Sequence, residues 1–428
     1  RIMRSFRITA TMRRCGAALL LALTALQAPA QSTRDEIAAC PERAGGIYYT
    51  YHYEAGAPTP APEGFEPFYI SHYGRHGSRW CTSAKPYVQP LEVLRKADGE
   101  GQLTPAGRQL LADMETVAAH ARNRYGDLSP RGRREHEAIA CRMYDNYPEV
   151  FAGSCEVDCH ATLATRCIIS MISFTDGLHR RNPDIRFHRD ASAADSRYMF
   201  SVEGMNGSKK ATTEASDRYR HSITHPDDLL DRLFVDPDYA DRNIKDKHKL
   251  YDNIFSVAID LQCVDLDIDM LSLFSADELY NLWRGYNIRR YLNYGPSKEW
   301  GDPIVADAKP LLADIIKKAD MAAAGELGYA ATLRFGHDIN VIPLAALLEL
   351  EGTTFRSDDY DEVCEQWADY RISPMATNIQ LIFFRNGAGE VLVKVLHCER
   401  ECRLPLPSER HPFYRWEDFK AYYLHKTM

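Results

Sequence analysis

No apolar run in this 428-residue chain reaches the roughly 20 residues that a membrane-spanning helix needs. Positive charge is not in excess either. The 52 Lys and Arg stand against 60 Asp and Glu, a net charge of −8, which excludes a globally basic nucleic-acid binder. Cys-x2-Cys pairs are absent, as is any Asp/His cluster at metal-ligand spacing, so neither a metal nor a cofactor is expected. A hydrophobic fraction of 45% with 26% charged residues excludes a disordered or collagen-like chain. What remains is a globular protein, long enough for one large domain with an insertion or for two domains.

The first thirty residues stand apart from the fold. Arg1, Arg4, Arg7, Arg13 and Arg14 form a basic start without acids, and Ala17–Leu26 is a short apolar run. Ala28-Pro29-Ala30 then offers a small-x-small cleavage site before Gln31. This order of features predicts a signal peptide over residues 1–30 and an exported protein, periplasmic or secreted. Its removal leaves 47 basic and 60 acidic residues, so an anionic substrate has to be held by a local group of cations. Ten cysteines remain, from Cys40 to Cys402, and an even number in an oxidising compartment predicts disulfides. Cys155-x3-Cys159-His160 is the one stretch that suggests a metal site, and bridges are the preferred reading.

Along the chain, Pro58–Pro67 reads as an irregular lead-in to a short strand at Phe68-Tyr69-Ile70. Leu103-Thr104-Pro105 and Leu128-Ser129-Pro130 each place a hydroxyl at a helix N-cap and Pro at the first helical position. Val157–Leu163 predicts a strand and Cys167–Leu178 a helix. From about Ser192 to Pro310 strand signals fade, while Tyr and Trp recur at helical spacing in Asp277–Trp283. Tyr329–Arg334 is a strand and Ile339–Leu350 a helix. Ile379–Phe384 pairs with Val391–Leu396 across an Asn-Gly turn. The expected fold is α/β, with a core over residues 40–190 and 311–428 and a mostly helical cap inserted at 191–310.

The sharpest chemical signal is Arg75-His76-Gly77-Ser78-Arg79 at the end of a strand. Two Arg four apart grip a tetrahedral oxyanion from different sides, and a neutral imidazole between them can attack phosphorus. Gly77 would let a phosphate approach the backbone. The second signal, Arg334-Phe335-Gly336-His337-Asp338, also marks a strand-to-helix transition. There His337 can donate to a phosphoryl oxygen and Asp338 can protonate a leaving group. His136, His179 and His397 read as packing or surface residues.

Together these motifs resemble the histidine acid phosphatase branch of the histidine phosphatase superfamily, which includes phytases and multiple inositol polyphosphate phosphatases. The resemblance runs from about Gly45 to Lys426, and the Leu-Thr-Pro-x-Gly helix start also fits it. It implies a phosphoglycerate mutase-like three-layer core with a helical cap, and phosphomonoester hydrolysis through a phosphohistidine on His76. Asp338 is then the proton donor, and Arg75, Arg79 and His337 bind phosphate. Arg166, in Thr162–Cys167, matches a further phosphate-binding Arg. Small phosphate esters are the implied partners, inositol polyphosphates such as phytate foremost; neither nucleic acid nor a membrane is implied. Two departures bear on the substrate: Trp80-Cys81 replaces the frequent Pro, and His-Asp replaces the His-Ala-Glu usual in the inositol polyphosphate phosphatases. A broad acid or sugar phosphatase is the alternative; a non-catalytic phosphate binder is disfavoured because His76 and Asp338 are both present. Lys209, Lys210, Arg218 and Arg220 are candidates for additional pocket cations.

Overall fold

The computed structural model describes residues 32–427, so the expected signal peptide lies outside the described residues. Eight strands form one sheet: β1 (Phe65–Arg75), β2 (Glu156–Ala161), β3 (Arg186–Ala191), β4 (Ala331–Gly336), β5 (Asn378–Asn386), β6 (Val391–His397), β7 (Arg400–Glu401) and β8 (Tyr414–Arg415). The order is β3-β2-β4-β1-β5-β6-β7, with β8 also pairing with β6. The first four strands in that order are parallel; β5, β6 and β7 continue antiparallel.

Register explains where the site lies. Arg75 at the end of β1 pairs with Gly336 at the end of β4, and Ala161 at the end of β2 pairs with Phe335. Three strand ends therefore release their loops at the same edge of the sheet, the edge where parallel α/β sheets bind ligands.

Helices cover both faces. Ile139 and Met143 of the helix Pro130–Asn146 and Phe174 and Leu178 of Thr165–Arg181 pack on Ile70, Val157, Leu333 and Phe335. On the other face, Leu312 and Ile315 of Lys309–Ala324, Leu344 of Asp338–Leu347 and Phe419 of Trp416–Thr427 pack on Tyr69, Tyr73, Leu381 and Phe383. Alternation along β1 drives this sandwich, since successive side chains point to opposite faces. The result is the expected α/β core in three layers.

The two hydroxyl-capped helix starts form as read: Thr104 accepts from the Gly107 N–H at 3.1 Å and Ser129 from the Gly132 N–H at 3.2 Å. Between β3 and β4 the chain forms helices and turns, with Ala276–Tyr294 at 19 residues among the longest. Trp283 and Tyr291 there share one apolar cluster with Leu94 and Leu110, from helices that precede β2. The helical layer thus recruits Lys85–Gly99 and Pro105–Ala121 as well as the segment after β3. β3 itself has no counterpart among the expected strands. Its burial is slight, so its residues carry no apolar alternation to read.

The expected disulfides do not form: all ten described cysteines are free. Most are buried small apolar residues on separate elements, with thiols turned to nearby carbonyls, such as Cys263 to Tyr48 at 3.3 Å. The Cys155-x3-Cys159-His160 stretch does not bring its cysteines and histidine to one place; His160 groups instead with Asp190 and Asp195. Neighbours on a strand face opposite sides, so Cys159 enters the core while His160 lies between Asp158 at 2.9 Å and Asp195 at 3.0 Å. No helix among the described residues is long and apolar enough to cross a membrane.

Candidate active site

His76 follows β1 directly and is 2% exposed. Its Nδ1–H donates to the Gly77 carbonyl at 2.9 Å, which leaves the lone pair on Nε2. Burial is the first cause that holds the imidazole neutral, followed by the charges of Arg75, Arg166 and Arg79. A deprotonated Nε2 amid cations is a competent nucleophile toward an anionic phosphorus centre.

The loop after His76 is fixed by a carboxylate and two glycines. Glu135 accepts from the Ser78 N–H at 2.8 Å and from the Ser78 hydroxyl at 2.7 Å. A Cβ on Gly77 would lie 2.5 Å from the Gly132 carbonyl oxygen, and one on Gly132 would lie 2.2 Å from that of Ser78. Gly77 is therefore required first by close packing against a helix start, not by the approach of a phosphate as the sequence suggests.

Arg75 is fully buried. Its Nη1 donates to the carbonyls of Ile47 and Ser373, at 2.5 and 2.8 Å, while Nη2 makes no hydrogen bond and Nε lies 4.0 Å from Asp338 Oδ1. Arg79 reaches Tyr48 Oη at 3.3 Å and lies 5.0 Å from the Tyr48 ring centroid; its buried Nε has no partner. Arg166, just inside the helix Thr165–Arg181, also has an unpartnered buried Nε. Three guanidiniums thus converge on His76 with N–H groups that the protein itself does not satisfy. Unpaired buried donors are costly, and a tetrahedral oxyanion is the ligand that satisfies them.

His337 closes the far side, its ring centroid 5.6 Å from that of His76. Arg166 Nη2 donates to its Nδ1 at 3.4 Å, so Nε2–H faces Thr162 Oγ1 at 3.0 Å. Both ring nitrogens are engaged inside the protein, a placement the motif does not reveal. Burial, then Arg166, hold this imidazole down to about 4. The Tyr73 hydroxyl accepts the His337 backbone N–H at 3.4 Å and donates to Met199 at 3.1 Å, tying the site to the helical insertion. Phe200 then packs against the His337 ring at 4.9 Å.

Asp338 begins the helix Asp338–Leu347 beside Arg75. Burial favours its neutral form, yet Arg75 first, then Arg290, His337 and Arg79 outweigh it and bring the carboxyl to about 2. Without a bound anion the carboxyl is therefore ionised at mildly acidic pH.

All six residues singled out in the sequence meet at this one place: Arg75, His76, Arg79, Arg166, His337 and Asp338. Arg220, one of the expected pocket cations, instead pairs with Asp217 and Asp252 inside the helical layer. Lys209, Lys210 and Arg218 stand exposed on the same helix, Glu203–Ile223. Sequence reasoning missed Tyr48, Tyr73, Thr162, Phe200 and Arg290. Only Arg290 carried a readable signal, an Arg-Arg pair beside apolar helix positions in Ile288-Arg289-Arg290-Tyr291.

Solved structures with the same fold include the multiple inositol polyphosphate phosphatase of Bifidobacterium longum in complex with inositol hexasulfate. It is 18% identical with a TM-score of 0.73, over 89% of this chain and 97% of that one. The D. castellii phytase is 14% identical with a TM-score of 0.70, covering 90% and 85% of the two chains. The Hafnia alvei phytase in complex with tartrate is 13% identical with a TM-score of 0.53, covering 85% and 98%. Comparison with curated protein sequences gives no match. The sequence profile of the histidine phosphatase superfamily, branch 2, matches residues 74–398, and the chain belongs to that family.

Proposed function

We propose that this protein hydrolyses phosphate monoesters through a phosphohistidine on His76, with Asp338 as proton donor and inositol polyphosphates as substrates. The observation that carries this reading is the convergence of unpartnered Arg75, Arg79 and Arg166 N–H groups on a neutral His76. In the first step His76 Nε2 forms a bond to phosphorus, the bond to the ester oxygen breaks, and Asp338 gives its proton to that oxygen. Water then attacks phosphorus, the P–N bond breaks, and the water proton returns to Asp338. The three arginines stabilise the charge spread over the transferring group. A bound phosphate offsets Arg75 and Arg79, which raises the Asp338 carboxyl and lets it carry the proton. His337 fixes Arg166 and lines the phosphate position.

The fold shared with an enzyme crystallised on inositol hexasulfate supports the substrate class. Export is proposed from the charge and cleavage pattern of residues 1–30, and a mature N-terminus at Gln31 in the secreted protein tests it. For the chemistry, His76→Ala should abolish turnover and keep the fold. Acid-labile, base-stable phosphate trapped on the wild type should map to His76. Substantial turnover by the Ala variant would refute the reading.

A further inference from the structure

The helix Ala276–Tyr294 brings one more guanidinium to the site than the motifs contain. It packs on the Pro41–Tyr48 segment on one side and on Asp338–Leu347 on the other. Arg290, on this helix, lies close enough to Arg75, Asp338, Tyr48 and Asp369 for their charges and dipoles to act on one another. Its only hydrogen bond is a long one to the Tyr294 hydroxyl, at 3.5 Å. Among the described residues no carboxylate oxygen lies within 4.0 Å of it.

Three other arginines of the helical layer are committed. Arg220 pairs with Asp217 and Asp252, Arg232 with Glu278 and Arg284 with Asp361. Arg290 is only partly buried, and Asp338 and Asp369 act on it through space without forming an ion pair, so its N–H fork stays open to an anion. The scissile phosphate is already matched by Arg75, Arg79 and Arg166, which lie on the sheet side of the site. Arg290 faces the same space from the helical side, where the rest of the substrate must lie.

We propose that Arg290 binds a second phosphate of the substrate, next to the one His76 attacks, and so couples polyphosphate recognition to the proton on Asp338. The inference rests on the phosphomonoesterase reading above. The groups facing Asp338 are Arg75 and Tyr73 from β1, Arg79 from the loop that follows, and His337 beside it. Arg166 and Cys167 face it from the start of the helix Thr165–Arg181, and Arg290 from the helical layer. The scissile phosphate offsets the first cations; only a neighbouring phosphate offsets Arg290. A simple ester therefore leaves Arg290 opposing protonation of the acid, whereas a polyphosphate removes that opposition.

The test compares wild type, R290Q and R290K on inositol hexakisphosphate and on glycerol phosphate, across pH. For R290Q, kcat/KM on the hexakisphosphate should fall roughly 10- to 100-fold, the effect of losing a charged hydrogen-bond pair. The glycerol phosphate value at its optimum should fall by a clearly smaller factor, because that ester does not reach Arg290 and feels it only through Asp338. In the same variant the alkaline limb of the glycerol phosphate profile should move to higher pH, because Asp338 has lost a positive neighbour. Affinity for inositol hexakis-sulfate should weaken in step with the hexakisphosphate loss.

Equal losses on both esters with an unmoved limb would overturn the proposal and make Arg290 a structural support. An undiminished hexakisphosphate rate would overturn it as well. If R290Q does not fold, R290K carries the test: it keeps the charge and loses the fork, so the limb stays and a selective hexakisphosphate loss remains. A nonselective loss in R290K refutes the assignment. A wild type with no preference for the hexakisphosphate refutes the substrate reading, whereas a preference that R290Q retains refutes only Arg290.

Discussion

Two histidines outside the chemistry make a quantitative prediction about acid stability. His72 on β1 and His136 on the helix Pro130–Asn146 are each 1% exposed and packed against Phe174 and Phe335. Burial is the first cause that pushes both rings down to about 3. In the unfolded chain a histidine titrates near its ordinary value of 6.5. The sign follows from proton uptake. As pH falls through that value the unfolded state gains a proton and the native state does not, so stability is full above it and declines until the folded value is reached. Between about pH 7 and pH 5 each ring then loses on the order of 2 kcal/mol of stability.

Other groups titrate over the same interval. Burial depresses His337 and His397 in the same direction, while it raises Asp260 to about 7 and Asp369 to about 6, which gain stability as pH falls. A double difference cancels them. Urea unfolding of wild type and His136→Leu should be measured at both pH values. The packing cost of the substitution enters both and drops out. The variant should lose about 2 kcal/mol less than wild type on acidification. An equal loss in both proteins would refute the buried, neutral state of His136.

Asp338→Asn should slow inositol and sugar phosphates far more than p-nitrophenyl phosphate, whose leaving group departs without a proton. Equal losses measured by steady-state kinetics would make Asp338 a charge partner of Arg75 and not the proton donor. Arg166→Ala should weaken turnover of every ester by roughly 10-fold or more, since it removes a charged contact to the scissile phosphate common to all. Tyr48→Phe removes the hydroxyl that Arg79 Nη2 reaches and keeps the ring beneath it, so kcat/KM should fall only about 5-fold on all esters.

The reacting groups were legible because they sit in two short motifs at strand ends. Arg75, His76 and Arg79 come from one loop and His337 and Asp338 from another, and parallel pairing of Arg75 with Gly336 joins them. Arg166 was legible only through order along the family's pattern, since Thr162–Cys167 has no chemical signature of its own. The two capped helix starts were legible because a hydroxyl followed by Pro has one local meaning. Disulfides were misread because cysteine count says nothing of distance: thiols such as Cys159 and Cys263 are packed in separate places. Gly77 was assigned to ligand approach, whereas what it meets is the backbone of Gly132, 55 residues away in the chain.

Local chemistry is what the amino-acid order determines by itself. It sets which residues can attack, protonate and bind, and where strands end in loops, because these depend on side-chain type and on neighbours within a few positions. Tertiary structure alone decides which charges remain free. Arg220 and Arg290 look equivalent on paper, each an arginine on a polar-aromatic helix. Folding places Asp217 and Asp252 against the first and leaves the second facing Asp338 across the site. The same holds for proton affinity: the Asp338 and His337 side chains are shifted by Arg75, Arg166 and Arg290, residues brought together from distant parts of the chain. Coulomb interaction falls with distance through space, not along the sequence, and so these properties exist only once the chain is folded.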